Sequence, residues 1–388
     1  MRNAELHPVA RLPEDWSSVV ASAGERPFRA KEIFRWIHQR GVTDPAAMSS
    51  LPASLRSSPA LAGEAIGRVE RVHRSADDTR KLLVRMADDA PVETVLIPRV
   101  SGPGSRADLA DPDVDLDDDD DDGEDTEGAR PKVRVTQCVS TQVGCAMGCV
   151  FCASGVAGLT RNLGAHEIVG QVLLGRAALD PDEALRGVVY MGMGEPLHNY
   201  EATKRSLELL VHPDGIGLSR RRVTVSTSGL VPEIRRLGED FDGQIGLAVS
   251  LHAVTDERRS ALMPINRRYP LSELVSALRA YPLPKRRRIT IEYTLIAGQN
   301  DDVEDAARLV RLLRDLKTKV NLIPMNGIDG SALGPPEWER ILRFQEVITS
   351  ANLSCFIRRQ RGDEVSAACG QLALLGGRRK VRTHRTAG

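Results

Sequence analysis

From Val133 to about Arg359, two kinds of apolar pattern alternate along the chain. Short runs rich in β-branched residues predict buried strands. Longer stretches with apolar side chains every three or four positions predict amphipathic helices. Six strand–helix pairs can be read: Val133–Val139 with a helix near His166–Leu179, Val188–Met191 with Tyr200–Leu210, and Val223–Ser226 with Pro232–Leu237. The others are Ile245–Leu251 with Leu271–Tyr281, Ile289–Ile296 with Val303–Leu316, and Val320–Pro324 with Glu337–Ser350. Such alternation predicts parallel strands joined by right-handed crossovers. Six units suit a doubly wound sheet or an incomplete β/α barrel.

The unusual residues narrow this choice. A cysteine cluster follows the first strand, and Gly192-Met193-Gly194-Glu195-Pro196 follows the second. Ser226-Thr227-Ser228 ends the third, Ser250-Leu251-His252 ends the fourth, and Met325-Asn326 follows the sixth. Parallel barrels carry their active residues at the C-terminal ends of the strands. The convergence therefore predicts a barrel with a site at that end.

Residues 1–75 read as a small helical domain, with Phe28, Ile33, Phe34 and Ile37 on a packed face. Arg26, Arg29, Lys31, Arg35 and Arg40 lie between and beside them. Residues 76–99 read as a β-hairpin extension turning at Asp88–Pro91, with Glu93 expected to face outward from its strand. Residues 100–131, made of Gly, Pro, Ser, Asp and Glu, are expected to be a disordered insertion. Residues 132–375 then form the barrel with a C-terminal cysteine segment, and 376–388 a basic tail.

Charge changes the picture only when divided. Lys plus Arg number 53 and Asp plus Glu number 53, for a net charge of zero. Thirteen of those acids fall between Ala107 and Ala129, which contains no Lys or Arg. The rest is therefore basic, and overall neutrality does not exclude a nucleic-acid partner. No apolar run approaches the ~18 residues of a membrane helix, and no secretory segment opens the chain. A cytoplasmic protein without a membrane partner is expected.

The chemistry is concentrated in Cys145-Ala-Met-Gly-Cys149-Val-Phe-Cys152. Structural zinc takes four ligands, usually from paired C-x2-C motifs. A four-iron cluster held by three cysteines leaves one iron open to a ligand bearing N and O atoms. With the barrel pattern and the Gly192–Pro196 loop, this C-x3-C-x2-C spacing resembles the radical S-adenosylmethionine superfamily. Further motifs follow in order: Cys138–Cys145, Met191–Leu197, Val225–Gly229, Ser250–His252, Ile265–Pro270, Ile291–Leu295, Asn321–Pro324, Arg361-Gly-Asp363 and Ala368–Gln371. Together they are similar to the dual-specificity methyltransferases that modify adenine C2 in 23S rRNA and in tRNA.

The resemblance implies an α/β fold: an incomplete (β/α)6 barrel of the radical type with a helical N-terminal domain and a hairpin extension. It implies a [4Fe-4S] cluster on Cys145, Cys149 and Cys152. It also implies S-adenosylmethionine contacts at Gly194, Glu195, Ser226, Ser250, Leu251, His252 and Asn326. Two S-adenosylmethionine molecules would serve each turnover, one as methyl donor and one as radical source. Cys369 matches the cysteine that is first methylated. Cys138 matches the one that resolves the protein–RNA crosslink by forming a disulfide with Cys369, and Glu93 matches the proton acceptor. Cys355, in the apolar run Leu353–Ile357, matches no motif and is expected in the core.

The expected partners are 23S rRNA and tRNA, with an electron donor such as flavodoxin, acting on a monomer. Basic clusters at Arg220–Arg222, Lys285–Arg288, Arg358–Arg361 and Arg378–Lys380 suit phosphate contact. Aromatic content of 4% argues against a base-stacking platform. The alternatives are an adenine-C8 methyltransferase of the same superfamily and a non-catalytic zinc-bound RNA-binding protein.

Overall fold

The computed structural model describes residues 6–99, 133–327 and 331–358. The acidic segment 100–131, Cys369, Arg359–Arg361 and the tail 376–388 lie outside the described residues.

At the N-terminus, α1 (Pro13–Ser22), α2 (Phe28–Phe34) and α3 (Ala53–Arg56) form a small helical unit, with a π-helical turn over Arg35–Gln39. Trp16, Val20, Ile33, Phe34, Ile37 and Leu55 fill its core, which also takes in Val169, Leu173 and Leu209 from the body of the protein. Phe28 departs from the expected packed face and is 53% exposed. At 100° per residue it lies about half a turn from the buried stripe Ala30, Ile33, Phe34 and Ile37.

Three antiparallel strands follow: β1 (Arg68–Arg74), β2 (Arg80–Arg85) and β3 (Pro91–Pro98). The first of them lies where helix was expected. Its sequence, Arg-Val-Glu-Arg-Val-His-Arg, has no apolar stripe, because it is an edge strand with little to bury. The hairpin is also continuous with the main sheet, since β3 pairs antiparallel with β4 (Val133–Cys138).

A small hairpin of β5 (Gln142–Gly144) and β6 (Leu159–Asn162) flanks α4 (Ala153–Ala157). The alternating body then runs α5 (Ala165–Ala177), β7 (Glu183–Tyr190), α6 (Tyr200–Val211), β8 (Val223–Thr227), α7 (Val231–Phe241) and β9 (Gly246–Ser250). It continues through α8 (Asp256–Leu262), α9 (Leu271–Ala280), β10 (Ile289–Leu295), α10 (Val303–Leu312), β11 (Thr318–Pro324), α11 (Trp338–Ser350) and β12 (Cys355–Ile357). The sheet order is β1-β2-β3-β4-β7-β8-β9-β10-β11-β12, parallel from β4 onward. β12 extends the six-strand pattern by one short strand. Cys355 begins it and is buried, as the apolar run predicted.

The strands β10 and β11 are buried along their whole length. Outer helices show one buried face. On α7, Ile234, Leu237 and Phe241 face the core while Arg235, Arg236 and Glu239 do not. Each buried side chain of this size contributes roughly 1.5–3 kcal/mol. Asp242, with φ 51°, takes the left-handed conformation that stops the helix. Register keeps the strand ends level: Thr227 stands beside Val249, Ser250 beside Glu292, and Leu295 beside Pro324. Among the described residues no helix is long and apolar enough to cross a membrane.

Candidate active site

The residues that end the parallel strands line one cleft of about 920 Å³, counted out through its open mouth. Cys145, Cys149 and Cys152 form one wall, and Gly194, Glu195, Ser226, Ser250, His252 and Asn326 contribute to the others. Nine of the ten residues expected to bind cluster or cofactor therefore meet in this cleft. Leu251 is the exception. Its side chain is 1% exposed in the core, and its backbone N–H donates to Glu292 O at 3.0 Å. Leu251 lies just past the end of β9, where its side chain turns into the core while Ser250 and His252 on either side face the cleft.

The cysteine loop is short, so the three thiols reach the cleft by local geometry. Burial pushes the Cys145 thiol up to about 12 and raises Cys149 and Cys152 as well. Among the described residues, no three His, Cys, Asp or Glu side chains converge closely enough to hold one metal ion. A cubane cluster makes no such demand, since each cysteine takes a separate iron. Three thiols lining an open cleft that also holds polar groups fit such a cluster and would leave its fourth iron without a thiolate.

The glycine loop after β7 is built for close approach. Gly194 has φ +101°, and a Cβ there would lie 2.6 Å from Gln142 Cβ and 2.8 Å from the Gln142 backbone nitrogen. Only glycine fits this position without strain. Glu195 next to it is buried and fixed by backbone donors: Leu197 N–H to Oε1 at 3.1 Å and Ser228 N–H to Oε2 at 2.7 Å. Burial raises its pKa, and these hydrogen bonds oppose the rise. Its own N–H donates to Gln142 Oε1 at 2.9 Å.

His252 occupies a positive φ of 56°, unusual for a non-glycine residue. Its Nδ1 accepts from the Thr294 N–H at 2.9 Å, so the neutral ring carries its proton on Nε2. Burial lowers its pKa to about 3, with Arg259 adding to the effect. Phe151, from the cysteine loop, packs edge-on to the imidazole at 4.9 Å.

Arg259 was not anticipated from the sequence. It is 0% exposed and sits behind the cleft on α8. It donates to Ser228 O at 2.6 Å, Ser250 O at 3.0 Å, Leu251 O at 3.1 Å and Asn266 Oδ1 at 3.0 Å. One guanidinium thus ties the ends of β8 and β9 to the Ile265–Pro270 segment. Asn300 acts similarly on the other side, donating to His252 O at 2.7 Å and Thr294 O at 2.6 Å. A lone Arg in a helix carries no sequence signal for such a task.

Glu93 does not face outward as expected. It is 2% exposed, and its Oε1 lies 3.1 Å from Lys81 Nζ, itself buried on β2. The antiparallel register sets Leu83 opposite Glu93 and Val95 opposite Lys81, so the two charges meet diagonally on one face. Burial raises the Glu93 pKa and Lys81 pulls it back. Ser140 joins this strand to the glycine loop, donating to Glu93 O at 2.6 Å and accepting from Met193 N–H at 2.8 Å. Cys138 is buried with Val95, Val189 and Met193, and Met191, packed on the same cluster, lines the cleft. Glu93 and Cys138 are thus placed near the cleft but not among its lining residues. Cys369 lies outside the described residues.

Residues 139–310 match the family model of the radical S-adenosylmethionine superfamily, and residues 14–61 match that of the ribosomal RNA large subunit methyltransferase N-terminal domain. The chain is 70% identical over 388 positions to a dual-specificity RNA methyltransferase RlmN of Sorangium cellulosum, covering 98% of this chain and 99% of the relative. A protein of the same name from Anaeromyxobacter dehalogenans is 44% identical, covering 94% of this chain and 91% of the relative. The crystal structure of a radical S-adenosylmethionine methyltransferase from Sphaerobacter thermophilus superposes with a TM-score of 0.80 at 40% identity, over 94% of this chain and 98% of that one.

Proposed function

The chain belongs to the dual-specificity RNA methyltransferase family of the radical S-adenosylmethionine superfamily, and from that premise we propose that it methylates C2 of adenine in 23S rRNA and tRNA. The observation that carries this reading is the meeting of Cys145, Cys149 and Cys152 with Glu195, Ser226, Ser250, His252 and Asn326 in one cleft. Adenine C2 is an electron-poor carbon and a weak nucleophile, so direct displacement on a sulfonium fails there. When bound, the [4Fe-4S] cluster supplies the electron that turns one S-adenosylmethionine into a radical source.

The chain's own residues do the rest. Cys145, Cys149 and Cys152 hold the cluster. Glu195 would accept a hydrogen bond from the methionine amino group, its carboxylate held in place by the backbone N–H groups of Leu197 and Ser228. Gly194 lets that group approach the backbone, and the Nε2 proton of His252 leaves the ring a hydrogen-bond donor. Ser226, Ser250 and Asn326 complete the cofactor contacts, and Leu251, whose backbone N–H and carbonyl are taken by Glu292 and Arg259, holds Ser250 and His252 in place between them. Cys369 would carry the methyl as a thioether; the Cys138 thiolate would then attack the Cys369 sulfur, closing the disulfide as the Cys369 sulfur–carbon bond breaks and its electron pair stays with the carbon on adenine, and Glu93 would accept the proton. The helical unit at the N-terminus and the basic tail assist RNA binding, and a flavodoxin-type donor reduces the monomeric enzyme.

Nucleoside mass spectrometry of tRNA and 23S rRNA after reaction tests the reading. It is expected to find 2-methyladenosine, and 8-methyladenosine alone would overturn it.

Lys81 sets the working range of Glu93. In Lys81→Met the lowering influence of the ammonium is gone while burial remains. The Glu93 pKa then rises, and the carboxylate form needed to accept a proton appears only at higher pH. The acid limb of the pH–rate profile is expected to move to higher pH. Lys81→Arg should restore it, and an unmoved limb in Lys81→Met would reject the coupling.

A further inference from the structure

Two basic runs far apart in sequence arrive at one end of the barrel. Arg220–Arg222 immediately precedes β8, Lys285–Arg288 immediately precedes β10, and Lys317 immediately precedes β11. Parallel strands begin on the same face, so all three lie opposite the end that carries the cysteines, Glu195 and Asn326. Contacts join them. Arg220 Nη1 donates to Gln244 Oε1 at 3.2 Å, and Arg287 Nη2 donates to Gln244 O at 3.3 Å. Gln244 lies just before β9, so one residue touches both runs.

Lys285, Arg286, Arg287, Arg288 and Lys317 line a single groove that, among the described residues, has no carboxylate in its lining. Arg288 is held there by a hydrogen bond to Ser354 Oγ at 2.9 Å, while Lys285, Arg286 and Lys317 are exposed. Cations gathered without acids repel one another, and a polyanion relieves that repulsion while releasing its counterions. Among the described residues the groove also has no aromatic lining residue. It can neutralise phosphates but has no ring on which to stack a base.

We propose that this face of the barrel is a second RNA contact, specific for the phosphate backbone, that engages RNA remote from the target adenine. The proposal rests on the reading of the substrate as RNA and adds where and how the RNA is held. The seven residues of β10, at about 3.3 Å each, separate the two faces by roughly 23 Å. A stem–loop whose loop occupies the cleft points its stem away from the opposite face, whereas a whole tRNA or an rRNA domain has further helices that can fold back to reach it.

The test uses the full-length, cluster-loaded protein and the triple variant Lys285→Ala, Arg286→Ala, Arg288→Ala. Affinities for an unmodified whole tRNA and for a short stem–loop presenting the target adenine are measured against salt. The whole-tRNA affinity is expected to fall about tenfold or more near physiological salt, with the log–log salt slope shallower by roughly two to three. The stem–loop affinity should stay within about twofold, since phosphates the groove never reaches release no counterions from it. Equal losses for both RNAs would place the groove's action at the cleft and overturn the proposal. Unchanged or tighter tRNA binding would overturn it too, particularly if deleting 103–129 removed the tightening. The groove would then serve the chain's own acidic segment, whose flanking residues Arg99 and Arg134 meet at this face. Formation of 2-methyladenosine by the unaltered enzyme is read separately. Groove-dependent tRNA binding without that product would sink the assigned activity and leave the groove standing.

Discussion

Cys149→Ala should abolish methylation while leaving the fold in place. The residue is 9% exposed in the wall of the cleft, and the cysteine loop offers no spare thiol to replace it. With two ligands left, the cluster is lost and no radical can form. Methylation should drop below about a ten-thousandth of the wild-type rate, equivalent to some 5 kcal/mol or more of lost barrier lowering. Iron and sulfide content and the visible absorption should fall with it, and reductive cleavage of S-adenosylmethionine should cease. The far-ultraviolet circular dichroism should hardly change, because removing one small buried side chain costs about 1 kcal/mol. A variant that kept its visible chromophore, or more than a tenth of its methylation, would reject the assignment of Cys149.

Arg259→Met carries the second large effect, and it acts on position. The side chain is fully buried, and burial lowers its pKa to about 10, so it stays charged at neutral pH. Methionine matches its bulk but leaves the carbonyls of Ser228, Ser250 and Leu251 without their shared donor. A buried acceptor left unsatisfied costs roughly 1–3 kcal/mol, and no longer burying a guanidinium offsets part of the sum. We expect a net loss of about 3 kcal/mol, visible as a fall of several degrees in Tm. The KM for S-adenosylmethionine should rise about tenfold or more, because Ser228, Ser250 and His252 are no longer held in register. Arg259→Lys should recover part of both. A normal KM in a destabilised Arg259→Met protein would reduce the residue to a purely structural tie.

Much of this site could be read along the chain because its parts are local. The three cysteines sit on one loop, so their spacing alone brings the thiols together. Gly194 and Glu195 follow a strand directly, and Ser226, Ser250 and Asn326 mark the ends of strands whose buried runs are plain. What periodicity could not show was any partner chosen by the fold. β1 lacked a pattern because an edge strand buries little. Phe28 looked like core because it is an aromatic residue in a helix, yet its angular position turns it outward. Glu93 was read as exposed because one strand in isolation does not reveal the Lys81 that faces it from the next.

Residue order along the chain was enough to give the barrel and the family and to point to the three loop cysteines, since strand runs, loop spacing and helix stripes depend on residues within one turn or one loop. The tertiary structure alone decided which side chains support them. The Arg259 tie, the Lys81–Glu93 pair, the Ser140 bridge and the basic groove all join residues on different strands or helices. Their contacts are set by sheet register and strand direction. Those quantities exist only once the strands have paired, so no local pattern can carry them.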